Sequence, residues 1–379
     1  MTVRERLERL VGIDSIFPNE RAMGEYMEGE LKRLGFTTSR QYIEKDRFNL
    51  FADRGHGSKS LLFYGHMDTV PSYGRKEDPF TLFERGDRLY GLGSNDMKGG
   101  ISAMLEALER CDHAKRIKVF LGVDEENISQ GAWKGVKENR EWFAGAGVCI
   151  SCEPPVSIWT EGGPNVATIG RRGRVVIEIG VEGISCHGAD PSKGVNALDE
   201  AAKIVVAMRK LKLGKAKGFG KETAFVSRME GGETSLSVPD HARLELDIHT
   251  VPPHKSTDMT GNVQEFIKLL QEKRILDSRT KVTVQIKKRI TPYIDPYVCD
   301  LRNPEVKRLL GAMRSVSEKI EICYGSSLAD DNIIANSIGI PVVIVGPKGG
   351  NEHSADEWVS AQSLETLEKT YESIISAVV

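Results

Sequence analysis

The hydrophobic pattern of this 379-residue chain changes character twice, and the double change dictates how it must be divided. Up to about Gly170 apolar residues come in short runs, Asn49-Leu50-Phe51-Ala52, Leu61-Leu62-Phe63-Tyr64 and then Ile117, Val119 and Leu121. Such runs suit strands covered on both faces. Helical periodicity surrounds them: Leu7, Leu10 and Val11, then Met23, Met27 and Leu31, recur at three- and four-residue steps, and residues 100–110 read as another helix. Phe17-Pro18 splits the first helical stretch, because the residue before a proline is pushed out of helical geometry. Strands alternating with helices predict an open α/β sheet with covered faces.

From Arg174 to Gly183 the pattern becomes strict alternation, with Val175, Ile177, Ile179 and Val181 on one side. That suits a sheet with one wet face. A helix over residues 197–211, alternating runs over 223–228 and 242–249, a helix over 257–273 and a strand over 281–287 complete a β-α-β-β-α-β order. This order is the ferredoxin-like signature. After Pro292 the buried character returns, with residues 341–346 as a core strand. The expected fold class is therefore α/β, a larger domain (residues 1–169 and 291–379) carrying an inserted α+β ferredoxin-like domain (residues 170–290).

Bulk properties exclude several roles. Hydrophobic residues at 40% and charged residues at 28% describe an ordinary globular protein. A formal net charge of -2 argues against a polyanion-binding surface, so no nucleic-acid partner is expected. Of six cysteines only Cys149 and Cys152 stand in CxxC spacing, inside a run that reads as a buried strand entering a loop. Reduced thiols are the simpler reading. The start, MTVRERLERLVGI, is charged and amphipathic rather than a signal core, and no stretch is long enough to span a bilayer. A cytoplasmic protein without a membrane partner is expected.

Five segments at strand ends carry chemistry. The strand ending Phe63-Tyr64-Gly65 delivers His66 and Asp68, two apart and so on one face. Leu92 to Gly100 is a glycine-rich loop opening a helix, and contains Asp96. By itself it also reads as a turn with a helix cap. Asp124-Glu125-Glu126 follows an apolar strand directly; alone, such a run is usually a solvated turn. Glu153 follows another strand, and Gly349-Gly350-Asn351-Glu352-His353 follows the strand near Val343. Open α/β sheets build sites at strand carboxyl ends. Two histidines and three acids, one of them bridging, are the inventory of a two-metal site with room for a shared water.

The order of these segments resembles the two-zinc amidohydrolases and metallopeptidases that include acetylornithine deacetylase, succinyl-diaminopimelate desuccinylase, aminoacylase and glutamate carboxypeptidase. The resemblance runs from the N-terminal helices to about Trp358. It implies a mixed-sheet, zinc-peptidase-like catalytic domain and an inserted lid and dimerisation domain, whose alternating strand from Arg174 to Gly183 would pair edge to edge with its two-fold mate in an isologous dimer. GHMDTVP implies His66 as a ligand and Asp68 as its orienting carboxylate. GLGSNDMKGG implies Asp96 bridging two ions, with a cis peptide at Asp96-Met97. DEEN implies Glu125 as general base and Glu126 as a ligand, CEPP implies Glu153 on the opposite ion, and GGNEHSADEWV implies His353 as the last ligand. Ser185-Cys186-His187-Gly188 resembles the lid segment whose histidine reaches a partner subunit's site and stabilises the oxyanion. Gly170-Arg171-Arg172-Gly173 resembles the hinge where arginine engages a substrate carboxylate; a pair of surface arginines between turn glycines is the plain alternative. The chain departs from the family at His249 and at Asn332, where relatives carry arginine that helps hold substrate.

The expectation is a metal-dependent hydrolase with two Zn²⁺ per subunit (Co²⁺ or Mn²⁺ being possible substitutes), acting as a homodimer on a small N-acyl amino acid. A dipeptidase or carboxypeptidase with the same chemistry is the alternative; in the family, members acting on free N-termini tend to carry aspartate at the position of Glu153. A metal-free binding protein of the same fold is the rival from another class. It should have lost ligands or the base, and none is lost here.

Overall fold

A computed structural model describes residues 1–155, 162–232 and 236–379. The chain forms two compact units, Met1–Arg171 with Tyr297–Val379, and Arg172–Pro296. The fold is mixed α/β.

The first unit is built on a nine-stranded mixed sheet among the described residues. Its centre holds His56–His66, flanked in parallel by Lys115–Gly122 and Ala146–Ser151, with Val342–Ile344 parallel to the latter. Antiparallel strands Arg47–Arg54 and Thr37–Glu44 close one side, and Val166–Arg171 continues the other. Residues 60–66 are buried without interruption, which is why the sequence shows a run there and not an alternation. Helices Val3–Val11, Lys98–Arg110 and Ala361–Val378 pack together, as do Gln130–Glu138 and Asp330–Ile338. The break anticipated at Phe17-Pro18 falls between helices Val3–Val11 and Arg21–Arg33. A small sheet pairs Phe83–Arg85 and Arg88–Tyr90 with Trp358–Ser360 and Gly349–Gly350, and so pins both ends of the loop bearing His353.

The second unit has the ferredoxin-like order. Its antiparallel sheet runs Thr223–Gly231, His241–Thr250, Gly173–Glu182, Lys281–Ile286. Val175, Ile177, Ile179 and Val181 are buried against helices Ala197–Ala207 and Ser256–Glu272. This corrects one expectation. The 174–183 strand, read as an edge free to pair with a two-fold mate, is hydrogen-bonded on both sides; the edges are Thr223–Gly231 and Lys281–Ile286. No helix among the described residues is long and apolar enough to cross a membrane, and all six cysteines are free.

Candidate active site

Four parallel strands end at one edge of the larger sheet, and their following loops bring His66, Glu125, Glu126, Glu153 and His353 together. The fifth contribution, Asp96, comes from the loop before helix Lys98–Arg110. That helix can approach because residue 100 is glycine: a Cβ there would lie 1.9 Å from the Cys152 carbonyl oxygen. Gly346 is needed likewise, its Cβ position being 2.0 Å from the Glu153 carbonyl oxygen. Close backbone approach thus sets the spacing between the Asp96, Glu153 and His353 segments.

Asp96 faces two imidazoles with its two oxygens. Oδ1 lies 3.1 Å from His66 Nε2, and Oδ2 lies 3.4 Å from His353 Nε2. Glu153 Oε1 is on the His66 side, 3.4 Å from Nε2, and Glu126 Oε2 on the other, 3.0 Å from His353 Nε2. The Asp96–Met97 peptide is cis. His66 Nδ1 donates to the Asp68 carbonyl oxygen at 3.0 Å, so Nε2 is the nitrogen turned into the cluster. The Asp68 carboxylate stands 3.7 Å from the same Nδ1 and accepts the Glu126 N–H at 3.0 Å.

Such crowding of charge moves the titrations. Burial would push His66 down, but the hydrogen bond to Asp96 and the Glu153 carboxylate 3.4 Å away hold it well above its ordinary value. Hydrogen bonds to Asp96 and Glu126 raise His353 to about 11. Asp96 is held below the usual carboxylate range: burial opposes this, and the two imidazoles outweigh it. Burial, aided by Asp96, raises Glu126 to about 7, and burial with the nearby Glu153 charge pushes Glu125 well above the carboxylate range.

These residues fit a pair of cations. Glu126 Oε1 and Glu153 Oε1 are buried and make no hydrogen bond. Potential ligand atoms of His66, Asp96 and Glu153 lie within 4.8 Å of one another, as do those of Asp96, Glu126 and His353, and the two groups share Asp96. His66, Glu125 and Glu126 also meet that limit, so proximity alone does not separate the two adjacent glutamates. The hydrogen bonds do: Glu126 is fixed to Asp68 through its backbone and faces His353.

Two organising residues escaped the sequence reading. Glu357 accepts from the N–H groups of Gly93 (2.7 Å), Asn95 (2.9 Å) and Asp96 (2.9 Å), and so shapes the Asp96 loop from beneath. Burial raises it to about 7. Asp124, at φ 74, accepts from Arg47 Nη2 at 3.1 Å and from the Gln130 N–H at 2.9 Å, which locks the turn presenting Glu125 and Glu126. Nothing in the sequence separates either acid from its acidic neighbours.

The expected substrate-binding residues are placed differently. Arg171 is 2% exposed, and its guanidinium donates to Asp331, Ser327 and Glu153. This corrects its reading as a cation presented to substrate, because three protein partners, two of them buried carboxylates, already hold it. Asn332 is also corrected: it is fully buried, and its Oδ1 accepts the Ala329 N–H at 3.2 Å at the start of helix Asp330–Ile338. Arg172, His187 and His249 belong to the second unit. Arg172 donates to the Phe219 carbonyl at 2.6 Å. His249 lies 3.8 Å from Asp247, and burial lowers its basicity. His187 is exposed, and its Nδ1 accepts the Ala189 N–H at 3.1 Å, which leaves Nε2 as the donor of a neutral ring.

Comparison with known proteins agrees with this geometry. The chain is 28% identical to the acetylornithine deacetylase of Klebsiella pneumoniae (strain 342), over 98% of this chain and 95% of that protein. It is also 28% identical to the succinyl-diaminopimelate desuccinylase of Marinobacter nauticus, over 98% and 97%. The crystal structure of aminopeptidase PepT from Bacillus cereus shares the fold with a TM-score of 0.80 at 20% identity, covering 99% of this chain and 98% of that one. The model of peptidase family M20/M25/M40 matches residues 62–377, and the chain belongs to that family, as a metal-binding enzyme that hydrolyses amide or peptide bonds.

Proposed function

We propose that the chain hydrolyses the amide bond of an N-acyl amino acid, using two zinc ions held by His66, Asp96 and Glu153 on one side and by Asp96, Glu126 and His353 on the other. The observation that carries this is the Asp96 carboxylate, with one oxygen turned to His66 and the other to His353. Imidazole and carboxylate donors suit zinc, and cobalt or manganese would substitute. When bound, the ions polarise the scissile carbonyl and lower the pKa of a shared water. Glu125 takes the water's proton and passes it to the departing amine. Asp68 holds the His66 ring in the tautomer that turns Nε2 inward.

The acyl amino acid reading rests on the deacetylase and desuccinylase relatives and on glutamate at position 153. A dipeptide or C-terminal peptide bond, cleaved by the same chemistry, is the second reading. Hydrolysis of N-acetyl and N-succinyl amino acids and of dipeptides by protein reloaded with zinc or cobalt decides between them. N-acyl substrates should be turned over at least ~10-fold better in kcat/KM, a difference of about 1.4 kcal/mol in the barrier. Preference for dipeptides would reverse the assignment, and failure to retain any divalent ion would end both.

The resemblance further supports a cytoplasmic homodimer in which His187 serves the oxyanion of a partner's site. Strand Thr223–Gly231, an edge of the second unit's sheet, offers its backbone for isologous pairing, in place of the inner strand first considered. Mixing inactive Glu125→Gln with inactive His187→Ala protein should restore activity, because one site in each heterodimer has both groups intact. Subunits that exchange without recovery would show that His187 is not supplied in trans.

A further inference from the structure

The segment 326–332, where the chain departs from its family, carries two fully buried carboxylates that the proposed chemistry does not use. Asp330 accepts the Tyr64 hydroxyl at 2.6 Å. Asp331 accepts Arg171 Nε at 2.9 Å, while Arg171 Nη1 donates to Ser327 Oγ at 2.6 Å. The third arm, Nη2, donates to Glu153 Oε2 at 3.3 Å. One rigid guanidinium therefore stands between an acid behind and an acid in front. Being planar, and held at Nε and Nη1, it has no rotation left with which to follow Glu153. Glu153 must instead follow it. With Oε2 engaged, Oε1 is left without a hydrogen bond and lies 3.4 Å from His66 Nε2.

The other side of the cluster is held differently. Glu126 is fixed through its own backbone N–H to Asp68, its Oε2 faces His353, and its Oε1 makes no hydrogen bond. The two sides are thus built unequally.

We propose that Arg171, braced by Asp331 and Ser327, is a positioning residue that turns Glu153 Oε1 toward His66 and Asp96 and so sets the affinity of one of the two ion positions. This rests on the two-ion reading above. It reassigns Arg171 from substrate recognition to support of a ligand, and gives the buried Asp331 its task. Outer partners of metal ligands typically contribute 10–100-fold in affinity.

The test is titration of Co²⁺ into ion-free protein in competition with a chromophoric chelator, for wild type, Asp331→Asn, Arg171→Lys and Arg171→Met. Wild type should take two ions. Asp331→Asn and Arg171→Met should weaken one of them by on the order of 10–100-fold and leave the other within about twofold. Arg171→Lys should fall between, because an ammonium keeps the charge but cannot hold both neighbours. Melting of each ion-free protein separates this from a folding defect, and the near-isosteric Asp331→Asn carries the test if Arg171→Met does not fold. Loss at both positions by one factor in a folded variant, or at neither, overturns the proposal. Wild type that takes fewer than two ions defeats the two-ion reading instead, a different result.

Discussion

Glu125→Gln should keep both ions and lose at least ~10² in kcat, the usual contribution of a general base. The substitution preserves volume and removes the ability to accept a proton. Glu125 is half-buried, and burial together with the Glu153 charge raises its basicity, so a proton taken from water finds a ready site there. It makes none of the hydrogen bonds that fix Glu126 to Asp68 and His353, so ion content should survive its loss. Metal analysis beside steady-state kinetics reads both quantities on one preparation. If Glu125→Gln sheds an ion while Glu126→Gln retains two, the neighbouring glutamates have exchanged roles.

A second large effect is expected at Glu357, far from any direct part in the reaction. Its carboxylate is the acceptor for three donors of the Asp96 loop, the N–H groups of Gly93, Asn95 and Asp96. Glu357→Ala leaves all three without this partner. Each buried donor so stranded costs about 1–3 kcal/mol, and water entering the vacated space keeps the sum near the lower bound, roughly 3 kcal/mol. That is a large share of the ~5–15 kcal/mol by which domains are stable. Both ions should weaken together, because the displaced loop carries the carboxylate that faces both imidazoles. Glu357→Gln should cost much less: Oε1, which serves Asn95 and Asp96, can remain an acceptor, and only the bond to Gly93 is lost. Chemical denaturation and ion titration check the pair. An alanine variant within 1 kcal/mol of wild type would show that the loop is shaped by something else.

Much of this architecture was legible in the sequence because burial writes itself into residue order. The uninterrupted run at 61–64 marks a strand covered on both faces, and alternation from Val175 to Val181 marks one covered on a single face. The ferredoxin-like order followed from that change of period. Sheet order did not follow, since alternation reports which face is covered and not which edge is free; hence the inner strand 173–182 was taken for an edge. The candidate site was legible wherever a loop holds one unmistakable donor, such as His66 or His353. It was illegible where function depends on a long-range partner. Arg171 is separated from Asp331 by 160 positions, and Glu357 reaches a loop more than 260 positions earlier. Asn332 looked like a substituted substrate contact because its place in the motif suggested one, whereas its burial and its bond to Ala329 make it part of a helix start.

The arrangement of one carboxylate between two imidazoles has a consequence for how the enzyme is charged with its cofactors. Before ions arrive, Asp96, Glu126 and Glu153 raise the basicity of His66 and His353, so both rings favour protonation. In the two-ion reading those protons occupy the nitrogens that the ions would take. Uptake is therefore an exchange, in which divalent cations displace hydrogen ions from the pocket. Acidification shifts that exchange toward the proton-filled state and alkalinity toward the metal-filled one. The same carboxylates that draw the ions in also retain their competitors, so the working enzyme is set jointly by metal supply and acidity.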